Sequence, residues 1–191
     1  KKEITMTANI KAYWQQKPNN KSTVLFDQNI QSGIQPYIIT WNSMINAYGQ
    51  HKQINKSIEL FDQMQQNGIQ PNIVTYISLL SSCGEVSSLD LGKQFHSKLI
   101  NSGIKLNINS QNTLISMYSK CGSLEDSIKI FNQIDNSKKN VITWTAMINA
   151  YGQHKQINNS IELFDQMKKY EIKPDIITCN SMINAYGQHK Q

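Results

Sequence analysis

ITWNSMINAYGQHKQINKSIELFDQM, residues 39–64, returns as ITWTAMINAYGQHKQINNSIELFDQM, residues 142–167, with 23 of 26 positions identical. The displacement is 103 residues. A third copy, IITCNSMINAYGQHKQ at residues 176–191, differs from residues 38–53 only in having Cys179 where Trp41 stands. Fixed periods of about 20–50 residues mark stacked-repeat architectures, in which each unit is too small to bury its own apolar face and leans on its neighbours. Function in such a chain is expected along a surface, not in one pocket.

The interval between the first two copies divides further. Residues 38–72 close with GIQPN, residues 73–107 with GIKLN and residues 108–140 with NSKKN, giving lengths of 35, 35 and 33. Upstream, residues 3–37 fit the same template at an offset of 35: Ala12, Tyr13, Leu25, Phe26, Asp27, Gln28, Gly33, Ile34 and Pro36 all match. That first unit departs from the pattern at Asn9 and Asn29, where its neighbour has Met44 and Met64, and it carries Pro18 between its helices. It therefore reads as a degenerate or capping unit. Residues 141–175 make the fifth unit and 176–191 half a sixth, so the chain reads as a single array cut from a longer protein.

Within a unit the apolar spacing is helical. Met44, Ile45 and Tyr48 form one stripe, and Ile54, Ile58, Phe61 and Met64, with Leu60 beside them, form another. Each unit is thus expected to be two antiparallel helices. Thr40 is placed to cap the first helix, and Gly68 to end the second in a left-handed residue, with Pro71 blocking continuation. Glu171 replaces that glycine in the later copy, which predicts a less regular end there. No segment alternates like a strand, so the fold class is all-α, a solenoid of tandem helix-turn-helix repeats.

Hydrophobic residues are 39% of the chain, enough for a core shared between units, and no run approaches the roughly 18 apolar residues of a membrane span. The net charge is +6, and all 19 basic residues are Lys. This excess fits a polyanionic partner, and without Arg the attraction must come from point charges, not bidentate guanidinium forks. Cys83, Cys121 and Cys179 are an odd set with no C-x-x-C spacing, and each is expected to be a buried or half-buried thiol. His51, His154 and His189 are one repeat position seen three times, and His96 lies on an apolar stripe, so no metal site is expected and no cofactor. Glu59 and Glu162 are equivalent surface residues. A P-loop, a G-x-S-x-G elbow, H-E-x-x-H and the zinc deaminase pattern are all missing, and catalysis within this chain is not expected.

These residues carry a resemblance to pentatricopeptide repeats. I-T-W-N-S-M-I, then I-E-L-F-D-Q-M, then G-I-Q-P-N run through residues 39–72, and the likeness extends over essentially the whole chain. Residues 38–72 and 141–175 resemble the standard unit of that family. Residues 73–107 resemble its long variant, with Gly92, Lys93, Gln94 and His96, and residues 108–140 its short variant. This alternation resembles the subclass associated with organellar RNA editing. The resemblance implies a right-handed α-solenoid that binds single-stranded RNA at about one base per repeat. It further implies a monomer, editing-complex proteins as partners, and a mitochondrial or plastid location.

It also implies which residues read RNA. The base is addressed by the residue after the aromatic position and by the residue closing the repeat, which gives Asn42 with Asn72, Asn112 with Asn140, and Thr145 with Asp175; Asn180 stands alone. Ile39, Ile142 and Ile177 are the wedges between bases, and Lys120 is the candidate phosphate contact. The family's code makes the two Asn/Asn units pyrimidine readers and the Thr/Asp unit a guanosine reader. Thr7 with Tyr37 has no reading, Ile77 with Asn107 chooses no base by hydrogen bonding, and Asn109 stands at the wedge position of the short unit. One comparison within the chain favours this assignment. Between the near-identical copies the first helix changes only at Asn42 to Thr145 and Ser43 to Ala146, and the closing residue changes from Asn72 to Asp175. Polar residues at a helix start are also interchangeable caps, so the cap reading stays open beside the reader reading.

Two other functional classes compete. A tetratricopeptide-like protein scaffold has 34-residue units and a W-x-x-L-G-x-x-Y pattern, which is absent. The chain could equally be the specificity arm of a deaminase whose catalytic domain lies elsewhere in a longer protein.

Overall fold

The structure, a computed structural model, describes residues 36–189 together with Val24, Phe26, Gln28 and Gly33. Thr7, Asn9, Pro18, Asn29 and the side chain of His189 lie outside the described residues. Two compact units are present, Lys1–Ser82 and Cys83–Gln191. The first holds α1 (Ile38–Gln50), α2 (Ile54–Gln66) and most of α3 (Ile73–Glu85), which runs across the division. The second holds α4 (Leu89–Asn101), α5 (Ile108–Lys120), α6 (Leu124–Gln133), a 3₁₀ turn at Asn136–Lys138, α7 (Val141–Gln153), α8 (Ile157–Lys169) and α9 (Ile176–His189). Among the described residues these nine α-helices are accompanied by no strand, so the all-α expectation holds.

Odd-numbered helices open the repeats and even-numbered helices close them. In the first unit α1 packs on α2, and Trp41, Met44, Ile45, Phe61 and Met64 are each at most 1% exposed. In the second unit α5, α7 and α9 pack side by side, α6 lies against α5 and α7, and α8 against α7 and α9. Each buried apolar side chain adds roughly 1.5–3 kcal/mol. One serine ties helix to helix in three hairpins: Ser57, Ser127 and Ser160, all fully buried, donate to the carbonyls of Ile45, Ile115 and Ile148 at 3.0, 3.0 and 3.1 Å. Opening helices approach one another closely where the side chain is a single hydrogen. A Cβ on Gly49 would meet Ser82 Oγ at 1.8 Å, and one on Gly152 would meet Ala185 Cβ at 2.8 Å.

The four described hairpin turns have the same geometry. The second residue after the opening helix is left-handed: Lys52 (φ 58°), Ser87 (52°), Gly122 (84°) and Lys155 (59°). The next amide donates back to the helix, as Gln53 N to Tyr48 O at 2.9 Å and Ser123 N to Tyr118 O at 2.9 Å. This is the Schellman closure, which satisfies the last carbonyls of a helix. Only Gly122 adopts it without steric cost; a side-chain-bearing residue there costs about 1–2 kcal/mol.

The closing helices α2 and α8 end the same way. Gly68 (φ 76°) lets Ile69 N reach Met64 O at 3.0 Å. The less regular end expected at Glu171 is not found: Glu171 takes φ 59° and Ile172 N reaches Met167 O at 3.1 Å. The hydrogen bonds of the closure and the packing of Met167 hold a strained residue in place. The short unit is the exception. Its closing helix α6 has 10 residues against 13 in the others, and a 3₁₀ turn follows. Lys139, which stands at the position of Pro71, is only 8% exposed; its ammonium lies 4.1 Å from the Phe131 ring centroid and donates to Asn136 Oδ1 at 2.6 Å. Burial pushes its pKa down, and the Asp135 carboxylate partly offsets this.

Cys83 is buried and Cys121 half-buried, as expected, but Cys179 is exposed. Trp41 and Trp144 reach the phenyl rings of Phe26 and Phe131, at 4.8 and 5.4 Å between centroids. A thiol at the equivalent position is too short for such a contact, and α9 has α7 and α8 on one side of it.

Candidate functional site

The site candidates sit where each opening helix begins. The residue that closes one repeat is the N-cap of the next helix. Asn107 Oδ1 accepts from Ser110 N at 2.9 Å, Asn140 Oδ1 from Thr143 N at 3.0 Å, and Asp175 Oδ1 from Thr178 N at 2.8 Å; Asn72 Oδ1 accepts from Thr75 N at 3.1 Å. In all four sets the hydroxyl three residues on accepts in return from the backbone N–H of the cap residue, completing a capping box at α5 and α7. Such caps contribute about 1 kcal/mol each. The capping role expected of Thr40 is therefore corrected. α1 begins at Ile38 with Tyr37 as its N-cap, and Thr40 is the third residue inside the helix. Asp175 is held below the usual carboxylate range by the amide and hydroxyl of Thr178.

The proposed reading partners are brought together differently in each repeat. Asn42 Nδ2 donates to Asn72 Oδ1 at 3.1 Å, and Asn42 Oδ1 accepts from Thr75 Oγ1 at 2.6 Å. Thr145 meets Thr178, Oγ1 to Oγ1 at 2.7 Å, and Thr178 in turn donates to Asp175 Oδ1 at 2.8 Å, so this pair is bridged. Asn112 is 7% exposed and neither atom of its amide has a hydrogen-bond partner in the protein, and no bond joins it to Asn140. Asn180 is exposed on α9. Even Asn42 keeps capacity for a ligand, because an amide offers two N–H donors and two oxygen lone pairs.

Beside these polar groups stands a set of exposed aliphatic side chains. Ile39 is 64% exposed, Ile142 58% and Ile177 63%. Val74, 49% exposed, occupies the same place on α3 and was missed by sequence reasoning, although the 35-residue offset from Ile39 points straight to it. Exposure of a large aliphatic residue at the same position in successive repeats is unusual for surfaces that contact only water.

Lys120 lies at the opposite end of α5 from Asn112, eight residues and about 12 Å along the axis. Its ammonium is 2.5 Å from Glu85 Oε1. Both line an open cleft of about 460 Å³ with Gly84, Ser87, Ser119, Gly122, Gln153 and His154. His96 Nδ1 pairs with Tyr118 Oη at 2.8 Å. Among the described residues no group of His, Cys, Asp and Glu could hold a metal ion, and no helix is long and apolar enough to cross a membrane.

Tandem helical hairpins with polar residues at most opening-helix starts, and an exposed aliphatic residue beside them on α1, α3, α7 and α9, define a class of repeat protein. Residues 36–85 and 139–188 match the PPR repeat family, residues 112–138 the PPR repeat and residues 4–51 the pentatricopeptide repeat domain. The chain belongs to the pentatricopeptide repeat family. Among its relatives is a pentatricopeptide repeat-containing protein of Arabidopsis thaliana, 46% identical over 55 residues that make 29% of this chain and 8% of that protein. A second Arabidopsis thaliana member, named as mitochondrial, is 40% identical over 55 residues, again 29% of this chain and 8% of its own length. The matched stretch is thus under a tenth of these relatives. In fold, the chain resembles the pentatricopeptide repeat protein PPR10 in complex with an 18-nucleotide psaJ RNA element: TM-score 0.84, 19% identity, 98% of this chain and 28% of that one.

Proposed function

We propose that the chain is a sequence-selective, single-stranded RNA-binding module reading about one base per repeat. The observation that carries this is the recurrence, at the starts of α1, α5 and α7, of one polar residue set apart by an exposed aliphatic or polar neighbour and adjoining the cap of the next helix. A base slid between Ile39 and Val74 stacks on apolar surface while its edge meets Asn42 and Asn72. Aliphatic walls supply sequence-independent contact and the amides, hydroxyls and carboxylate supply choice. The resemblance of fold to PPR10 supports the reading, as does the +6 net charge. Cap and reader are compatible roles, since the cap uses one oxygen of Asn72, Asn140 or Asp175 and leaves the rest of the group free.

The repeats in this reading are 38–72, 73–107, 108–140 and 141–175, with 3–37 as a degenerate unit and 176–191 as a partial one. Read from the first of these to the fourth, they specify pyrimidine, any base, pyrimidine, guanosine, and Asn180 begins a further unit. The alternation of standard, long and short units supports the further reading that the whole protein marks sites for RNA editing or processing in a mitochondrion or plastid, acting as a monomer with editing-complex proteins. Catalysis belongs to another domain or another protein.

Binding of short RNAs across a salt series tests the class. Affinity that falls with a log–log slope of about 0.7 per phosphate contacted supports RNA binding, and no binding at low salt returns the protein-scaffold reading. Thr145→Asn tests the register: it is expected to move preference from guanosine towards uridine at one position only. Unchanged binding to guanosine- and uridine-containing oligonucleotides would show that the wrong residues were assigned.

A further inference from the structure

Glu85, Lys120 and Gln153 are the last residues of α3, α5 and α7, and all three line one open cleft. Of the residues lining it, Lys120 is the one with a fixed positive charge and Glu85 the one with a negative charge. They are joined at 2.5 Å, with side chains 40% and 39% exposed. Around them are hydrogen-bonding groups suited to oxyanions: the hydroxyls of Ser87 and Ser119, the amide of Gln153 and the imidazole of His154. Ser119 Oγ donates to Gln153 Oε1 at 2.9 Å and His154 Nε2 lies 3.2 Å from Ser119 O, which fixes the floor of the cleft.

Glu85 is badly placed for its own helix. The C-terminal end of a helix is partially negative, so a carboxylate there is unfavourable and an ammonium favourable. Lys120 on the neighbouring helix compensates; the equivalent position is the neutral Gln50 or Gln153 in the standard repeats and Lys120 itself in the short one. A carboxylate and a phosphodiester each present one negative charge on acceptor oxygens, and the same ammonium can serve only one of them fully.

We propose that Glu85 is an intramolecular competitor that occupies Lys120 and so weakens contact between this cleft and the phosphodiester backbone of bound RNA. The inference rests on the RNA-binding reading and adds a residue that tunes it. An exposed ion pair is weak, so Glu85 keeping Lys120 from phosphate costs about fivefold or less in affinity. Charge in this cleft therefore sets affinity without choosing bases.

The test measures binding of one single-stranded RNA oligonucleotide to the whole chain at 50 and 200 mM salt. Wild type is compared with Glu85→Gln, Lys120→Gln and the double variant, helicity being checked by circular dichroism. Glu85→Gln is expected to bind about two- to fivefold more tightly at the lower salt. One additional phosphate contact adds about 0.7 to the salt slope, so this advantage shrinks about 2.6-fold at the higher salt. Lys120→Gln is expected to change wild type little and to erase the gain in the Glu85→Gln background. A gain that survives loss of Lys120, or no gain at all in a wild type that binds RNA, overturns the proposal. Absence of RNA binding by wild type at both salts overturns the underlying reading instead.

Discussion

Asn112 is buried, yet its amide nitrogen and oxygen meet no partner within the protein. Such a group costs about 1–3 kcal/mol relative to a satisfied one. In native proteins such a group is met by an ordered water or by a ligand. Asn112→Leu, close in volume and apolar, is therefore expected to leave stability unchanged or raise it by about 1 kcal/mol while weakening RNA binding. Urea unfolding and an oligonucleotide titration read the two effects side by side; a clear loss of stability would mean that the amide is structurally employed. Sequence pattern located Asn112 through its equivalence with Asn42, but not its lack of partners. That lack of partners shows only in the packed structure, where Asn42 reaches Asn72 and Thr75 but Asn112 reaches neither Asn140 nor Thr143. Thr40 shows the opposite failure. Its residue type suits a cap, but the helix begins two residues earlier, and only the backbone reveals this.

At the level of helices, the interface between α4 and α5 contains the best-defined titrating pair. His96 Nδ1 and Tyr118 Oη lie 2.8 Å apart with their rings edge to face. Burial pushes the imidazole below its ordinary 6.5, against an opposing pull from the Asp126 carboxylate, and burial with the same carboxylate pushes the Tyr118 hydroxyl up to about 12. A depressed histidine pKa means that the unfolded chain takes up the proton first. Its contribution to stability is thus complete above pH 6.5 and is lost as the pH falls from there towards the lower folded value. His96→Gln removes this dependence. The difference in urea midpoint between wild type and His96→Gln is expected to narrow from pH 7.5 to pH 5.5, and an equal difference at both values would count against a buried, neutral His96. The helices themselves were readable from apolar spacing, and Gly68 correctly marked a stop. Glu171 was not, because a side chain at a left-handed position looks from sequence like a lost turn, whereas tertiary packing and two backbone hydrogen bonds preserve the turn regardless.

Across the whole molecule, stability is expected to be a sum over hairpins and their nearest neighbours, as in other repeat arrays. Gly152 gives the cleanest place to probe this, since a side chain there runs into Ala185 of α9. Gly152→Leu is expected to cost about 1–3 kcal/mol locally. Hydrogen exchange should show faster exchange in α7 and α9 with α1 and α2 unaffected; uniform loss of protection along the chain would indicate a single cooperative unit. The repeat order and the hairpin content were visible in self-comparison of the sequence, whereas the candidate readers came from the family resemblance. The pairing of Glu85 with Lys120 was not, because residues 35 apart come together only when opening helices pack side by side.

The abbreviated α6 and the cation–π contact of Lys139 carry a practical implication for anyone recombining these modules. Two amino acids are absent from that repeat, yet α5 and α7 remain adjacent, because the shortening is taken up in the outgoing helix and its 3₁₀ turn. Trimming or grafting there should alter the bulk of a module without changing the spacing of successive opening helices.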